Sequence, residues 1–171
     1  MLLCLLVIAA QVAEGGAPTE YELKAVFVYK LATYVRWPRT ESDPRRPFTI
    51  GILGRDPFGR VLDDVVKGER VSGRPIVVRR LSETGDAARC DLVFVGSSEK
   101  RNVARIIETL AGAPVLTVAD MDQFAQSGGM INLTNDERRI RLEINVKALD
   151  RAGLKAASQL LTLAKLVDER K

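Results

Sequence analysis

Histidine is absent from this chain of 171 residues, and cysteine occurs twice. Without histidine, Ser-His-Asp and Cys-His catalysis in their usual forms are excluded, together with the commonest metal ligand. Two cysteines far apart also exclude a cysteine-rich zinc site. Aromatic residues make up only 5%. Charge of one sign is not in great excess: 26 Lys and Arg stand against 22 Asp and Glu, a net +4. That balance, with no aromatic residues interleaved among the arginines, argues against nucleic acid as a partner. The apolar run at residues 2–10 (LLCLLVIAA) is too short to span a bilayer as a helix. What remains is 46% apolar and 28% charged, the composition of one globular domain with a real core.

The run at 2–10 suits the core of a signal peptide, followed by small residues at Val7 and Ala9 or Gly15 and Ala17 for cleavage. No Lys or Arg precedes it, and a buried terminal strand or helix is the other reading. The expectation is a leader over 1–17 and an exported working domain over 18–171. Losing the leader removes Glu14 and leaves 26 basic against 21 acidic residues, a charge of +5. Cys90 is then the lone thiol, with no intrachain partner. It opens the apolar run CDLVFVG and is expected to be buried.

Residues 20–36 show apolar spacings of four and three (Leu23, Phe27, Leu31, Tyr34) and predict a helix that ends before Pro38. Short apolar runs at 48–53, 76–81, 91–95 and 115–118 predict buried strands. Between them, Asp56-Pro57 predicts a cap opening a helix to 66, and Ser97 or Ser98 a cap opening a helix to 110. Asp120 with Gln123 resembles a capping box for a short helix to 126. Strands at 130–133 and 139–146, parted by Thr134-Asn135-Asp136-Glu137, predict a hairpin. A helix over 149–167, interrupted at Gly153, closes the chain. Alternating strands and helices predict a single three-layer α/β/α domain, Rossmann-like or flavodoxin-like, with a mostly parallel sheet and an antiparallel C-terminal hairpin edge.

Ligands in such folds bind beyond the carboxyl ends of the strands. The loop 54–59 has glycines at both ends and Asp56 within, so Gly54 and Asp56 are candidate anion-site residues. It lacks the Lys-Ser/Thr of a P-loop and the spacing of a dinucleotide fingerprint. A tight strand-to-helix turn with Asp56 as its cap explains the loop without a ligand. Ser97 and Ser98 read as caps; a nucleophilic serine would need Lys100 as base, and nothing in the sequence places that lysine. Asp120 and Asp122 could meet a divalent cation, yet carboxylates favour helix starts for plain electrostatic reasons. Neither a catalytic set, a metal site nor a cofactor is expected. Arginines cluster at 45–46, 79–80 and 138–141. On the strand 139–146, Arg139, Arg141 and Asn145 share one face, which marks them as candidate ligand or partner contacts or as a solvated face. Tyr21, Phe27, Tyr29, Tyr34 and Trp37 crowd the first helix. They cannot all face one core, so Tyr21, Phe27, Tyr34 and Trp37 are candidates for a partner or dimer surface.

Six blocks carry a resemblance: EYELKAVFVYKLATYVRWP, GILGRDPFG, GRPIVVRRL, CDLVFVGSSE, VLTVADMDQFAQSGGMINL and RLEINVKALDRAGLKAASQLLTLAKLV. In this order and spacing the chain resembles the YfiR family of small periplasmic proteins from about Glu20 to Val167. The Trp37-Pro38 helix end, the Gly-Gly-Met-Ile strand and the Glu-Ile-Asn strand together make the match specific. The resemblance implies a domain that acts by binding. Its expected role is to repress an inner-membrane diguanylate cyclase through the cyclase's periplasmic part, and so to affect cyclic-di-GMP and biofilm formation. A homodimer is a further implication, and a small-ligand sensor acting on a membrane sensor kinase is the alternative. The chain departs from the family pattern in lacking further cysteines for disulfides, in Leu142 where phenylalanine is common, and in Asp91 where histidine is common.

Overall fold

The computed structural model describes residues 18–38, 46–136 and 139–169. The expected leader over 1–17, and Arg45 and Arg138, lie outside the described residues. Helix α1 (Glu20–Tyr34) starts at a reciprocal capping box: Glu22 N donates to the Thr19 hydroxyl, and Thr19 N donates to the Glu22 carboxylate. The helix ends two residues before the expected 36. Val35 and Arg36 become extended as β1 (Val35–Arg36) and pair antiparallel with residues 156 and 155. Pro38 disfavours helical backbone at Trp37, so the helix has to end before it.

The chain then forms β2 (Phe48–Leu53), α2 (Val61–Val66), β3 (Arg70–Val71), β4 (Arg74–Leu81), α3 (Thr84–Ala87) and β5 (Leu92–Val95). A 3₁₀ segment (Ser97–Asn102) leads into α4 (Val103–Thr109), and β6 (Leu116–Ala119), β7 (Ile131–Asp136) and β8 (Arg139–Ile144) follow. The chain continues through α5 (Val146–Arg151), β9 (Lys155–Ala156), α6 (Ser158–Leu163) and β10 (Lys165–Leu166). Eight strands make one sheet in the order β10-β8-β7-β6-β5-β2-β4-β3. The stretch β4-β2-β5-β6-β7 is parallel throughout. Counted among those five, the order is 2-1-3-4-5, so of the two expected windings the chain takes the flavodoxin-like one. The hairpin β7–β8 is antiparallel, as its turn sequence predicts, but it is not the outer edge, because β10 adds to β8 in parallel.

Alternation along each central strand divides the core in two. Leu92 and Phe94 of β5, with Leu116 and Val118 of β6, face α1, α2, α5 and α6. Val93, Val95 and Ala119 face α3 and α4. Phe58 sits edge-on to Phe94 at 4.7 Å, and Trp37 edge-on to Phe48 at 5.0 Å. Each such ring buried against the sheet contributes about 1.5–3 kcal/mol.

Three predicted helices are placed differently. α2 begins at Val61 because Asp56 holds the amides of Phe58 (2.7 Å) and Gly59 (3.2 Å) in a turn of their own. After Asp120 there is a run of turns instead of a helix, with Gln123 at φ +63°. The long terminal helix is broken: Gly153, at φ +71°, ends α5, and β9, α6 and β10 follow. Among the described residues no helix is long and apolar enough to cross a membrane.

Candidate functional site

In a 2-1-3-4-5 winding the ligand crevice lies between the carboxyl ends of β2 and β5. Here the switch point itself is bridged by the protein, and a groove of about 500 Å³ stays open beside it, lined by Leu53, Thr84, Glu99, Asn102, Arg105 and Thr109. Arg55 N donates to Ser98 Oγ (2.8 Å), and Gly96 N donates to Leu53 O (2.9 Å). A Cβ on Gly54 would stand 2.5 Å from Ser98 Oγ, and one on Gly96 2.6 Å from Arg55 O. Protein atoms therefore fill the room that glycine leaves for a phosphate in other folds of this type. Ser98 ties the two loops together and caps nothing. Asp56 is held on both oxygens: Oδ1 accepts the two turn amides, and Oδ2 accepts Arg80 Nε at 2.9 Å. Arg80 also reaches both oxygens of Asp63 and the Gly59 carbonyl, and it holds the Asp63 carboxyl below its usual range.

Asp120, at the end of β6, meets a lysine. Lys24 Nζ lies 2.8 Å from Asp120 Oδ2, and each side chain is only 4% exposed. Lys24 also pairs with Glu20 and stands 4.8 Å over the Tyr21 ring, which packs edge-on to Phe58 at 5.8 Å. Burial opposes the ammonium charge, but hydrogen bonds to Asp120 and Glu20 prevail and raise the Lys24 pKa. Burial, with the charge of Asp120, pushes the Tyr21 phenol up. The group ties α1 across the carboxyl edge of the sheet.

The opposite edge is gathered by Asp91, which composition and spacing did not single out. Asp91 Oδ1 accepts from Arg46 (2.8 Å), and Oδ2 accepts from Arg74 (2.7 Å) and Thr49 N (2.8 Å). Its carbonyl accepts from Trp37 Nε1 (3.1 Å). One residue thus joins the end of the first helical segment to the starts of β2, β4 and β5. An acid opening an otherwise apolar run was the signal available. Next to it Cys90 is buried, and that burial pushes its thiol up to about 11.

The hairpin end is different. Ile140, Leu142 and Ile144 of β8 point to the α1 side, while Arg139 and Arg141 are exposed on the other. Arg141 Nε approaches Asp136 Oδ2 at 3.6 Å. Glu143 follows on the same face and accepts from Lys165 (3.1 Å), Gln126 (3.3 Å) and Asn132 (3.5 Å). Burial works against its charge, yet these bonds hold its carboxyl below the usual range. A groove of about 490 Å³ runs between this face and α6–β10, lined by Thr134, Asp136, Arg141, Glu143, Leu163 and Lys165. Leu163 is 79% exposed and Leu166 56%, the two most exposed large apolar side chains among the described residues.

Asn145 does not share the arginine face. β8 ends at Ile144, and Asn145 turns inward, fully buried, to cap α5 by accepting from Ala148 N (2.9 Å). With Asn132 and Thr117 it holds the 120–130 segment: Asn145 donates to Ala125 O (3.0 Å), Met121 N to Asn132 Oδ1 (3.2 Å), and Met130 N to Thr117 Oγ1 (3.1 Å). These buried polar groups secure a β6–β7 connection that has no helix. Of the candidate surface aromatics, Tyr21 and Tyr34 are exposed and Phe27 and Trp37 half-buried, with the Trp37 indole bound to Asp91 O. Arg139 and Arg141 are thus brought together, while Gly54 and Asp56 lie in a loop already closed. Among the described residues no cluster of three or more metal-ligating side chains occurs.

Solved structures share this fold at low identity. The ABC domain from Streptococcus pneumoniae, in complex with L-Trp, superposes with a TM-score of 0.58 at 11% identity, over 84% of this chain and 60% of that one. A conserved domain protein from Vibrio cholerae O1 biovar El Tor gives 0.60 at 12%, over 88% and 60%. This chain thus spans about 60% of the length of each, and the likeness shows the fold alone. The sequence model described as YfiR/HmsC-like matches residues 21–165, from the first turn of α1 to the start of β10, and the chain belongs to the YfiR/HmsC-like family.

Proposed function

We propose that this chain is a periplasmic regulator that restrains an inner-membrane diguanylate cyclase by contacting its periplasmic part, so that release raises cyclic-di-GMP. Family membership over 21–165 carries the reading, since proteins of this family are periplasmic and regulatory. The leader over 1–17 would be removed on export, leaving 18–171 as the working domain. Action by binding, without catalysis, agrees with the buried charges: Asp91, Lys24 and Asp120 are each held by partners within the chain. The contact surface is the hairpin face, where Arg139, Arg141 and Lys165 surround exposed leucines at the rim of the sheet. Such a mixed patch, charged and apolar together, suits an interface more than an isolated surface.

Co-purification from membranes tests this. The wild-type chain is expected to retain a cyclase, and Arg141→Glu with Leu163→Asp to lose it while folding normally. Deleting the gene should raise cyclic-di-GMP. An unchanged cyclic-di-GMP level, with no membrane protein retained, would overturn the proposal.

A further inference from the structure

The end of the chain folds back onto the start of α5. Val167 N donates to Ile144 O (3.0 Å), and Asp168 pairs with Lys147 (2.8 Å). Glu169 Oε1 accepts from the Arg151 guanidinium and from Asn145 Nδ2, the latter at 3.3 Å. Asn145 is fully buried, and its amide nitrogen has two N–H groups to place. One goes to Ala125 O and the other to Glu169. If the Glu169 carboxylate leaves, a buried donor loses its partner, which is unfavourable unless another acceptor takes the position. Arg151 above all, and Asn145 with it, keep the Glu169 carboxyl below its usual range against the effect of partial burial.

A cavity of about 100 Å³ lies beside this clamp, lined by Ile107, Leu110, Thr117, Met130, Ala148 and Arg151. Gly128 lines it too. A Cβ there would stand 3.4 Å from Ile107 Cγ2 and 3.9 Å from Glu169 Oε1, so the carboxylate borders the apolar space. We propose that clamp and cavity together form a binding site for a small aliphatic carboxylate, with Glu169 holding the carboxylate position when no ligand is bound. The lining offers the Arg151 cation and no carboxylate, and the Asn145 amide reaches the same carboxylate position through its bond to Glu169, so an ammonium group finds no counter-charge in the lining. A cavity of about 150 Å³ accommodates benzene, so this smaller one suits an apolar body of about four carbons. The inference does not depend on the cyclase reading, and its failure would leave that reading standing.

Isovalerate is the probe, titrated calorimetrically into the full chain, into Glu169→Ala and into Glu169→Ala with Arg151→Ala. Both positions are on the surface, and circular dichroism checks that each variant folds. A tail that occupies the site nine-tenths of the time weakens ligand binding about tenfold, so Glu169→Ala should bind isovalerate about tenfold more tightly than the wild type. Adding Arg151→Ala should abolish binding, and 3-methylbutanol, the same body without charge, should not bind. Equal affinity for wild type and Glu169→Ala, no binding to either, or binding that survives Arg151→Ala would each overturn the proposal.

Discussion

β5 buries all four of its residues, whereas β8 buries Leu142 and Ile144 and leaves Arg139 and Arg141 in solvent. Both strands belong to the same sheet, and the difference lies in what covers them. Helices pack on both faces of the central strands, α1 and α2 on one side and α3 and α4 on the other. At the hairpin, α1, α5 and α6 cover one face and polar side chains occupy the other, with an open groove at the rim between β8 and α6–β10. Stability resides in the doubly covered region, where substitution removes core. The half-covered region can meet another molecule, because its outer side chains contribute little to folding. At the carboxyl edge of the central strands, where this winding ordinarily binds a ligand, Ser98 bridges the loops after β2 and β5 and Lys24 ties down Asp120, while a polar groove beside Leu53 and Glu99 stays open.

The contrast can be broken most forcefully at Phe94. Phe94→Ala should cost about 3–5 kcal/mol, read from urea unfolding, since the ring is fully enclosed. Next comes Lys24→Met, expected to cost about 3 kcal/mol by leaving Asp120 buried without its counter-ion. Adding Asp120→Leu should recover most of that loss. A cost below about 1 kcal/mol for the single change would show that the pair does not tie α1 to the sheet.

A smaller effect separates the hairpin by pH. The folded Glu143 carboxyl lies below its ordinary value of 4.5, so its bonds add stability that is complete above that value and lost as pH falls through the folded pKa. Glu143→Gln should therefore cost on the order of 1 kcal/mol at neutral pH, and the gap to wild type should close on acidification. A gap that widens in acid would contradict the assignment. The smallest expected effects are at the rim: Leu163→Ser and Arg141→Ala should each change stability by under about 0.5 kcal/mol while reducing retention of the proposed membrane partner. Losses of several kcal/mol there would mean that the outer face of the hairpin is part of the folding core.

The central strands were legible because runs such as FTIGIL and DLVFV are apolar at consecutive positions and end at glycine or a polar turn. Burial of Cys90 followed from the same run. β1, β3, β9 and β10 were not, because each has two residues and two residues carry no periodicity. The alternation of Arg139, Arg141 and Glu143 with apolar neighbours extends in sequence to Asn145, although the strand stops one residue earlier. An asparagine suits a cap as well as an exposed strand position, and local sequence does not separate the two. For the candidate site, the arginine face was visible in the spacing. The closure of the Gly54 loop was not, since it depends on a serine 43 positions away.

By itself the sequence determined the α/β class, the central strands, the hairpin and the absence of histidine chemistry, because each follows from local pattern or from composition. Only the tertiary structure decided which ends of the strands are closed, that Lys24 meets Asp120 across 96 positions, and that the tail seats Glu169 on Arg151 and Asn145. Contacts between distant residues arise when the sheet and its helices assemble, and a charged or polar side chain gives no local sign of which distant partner will satisfy it.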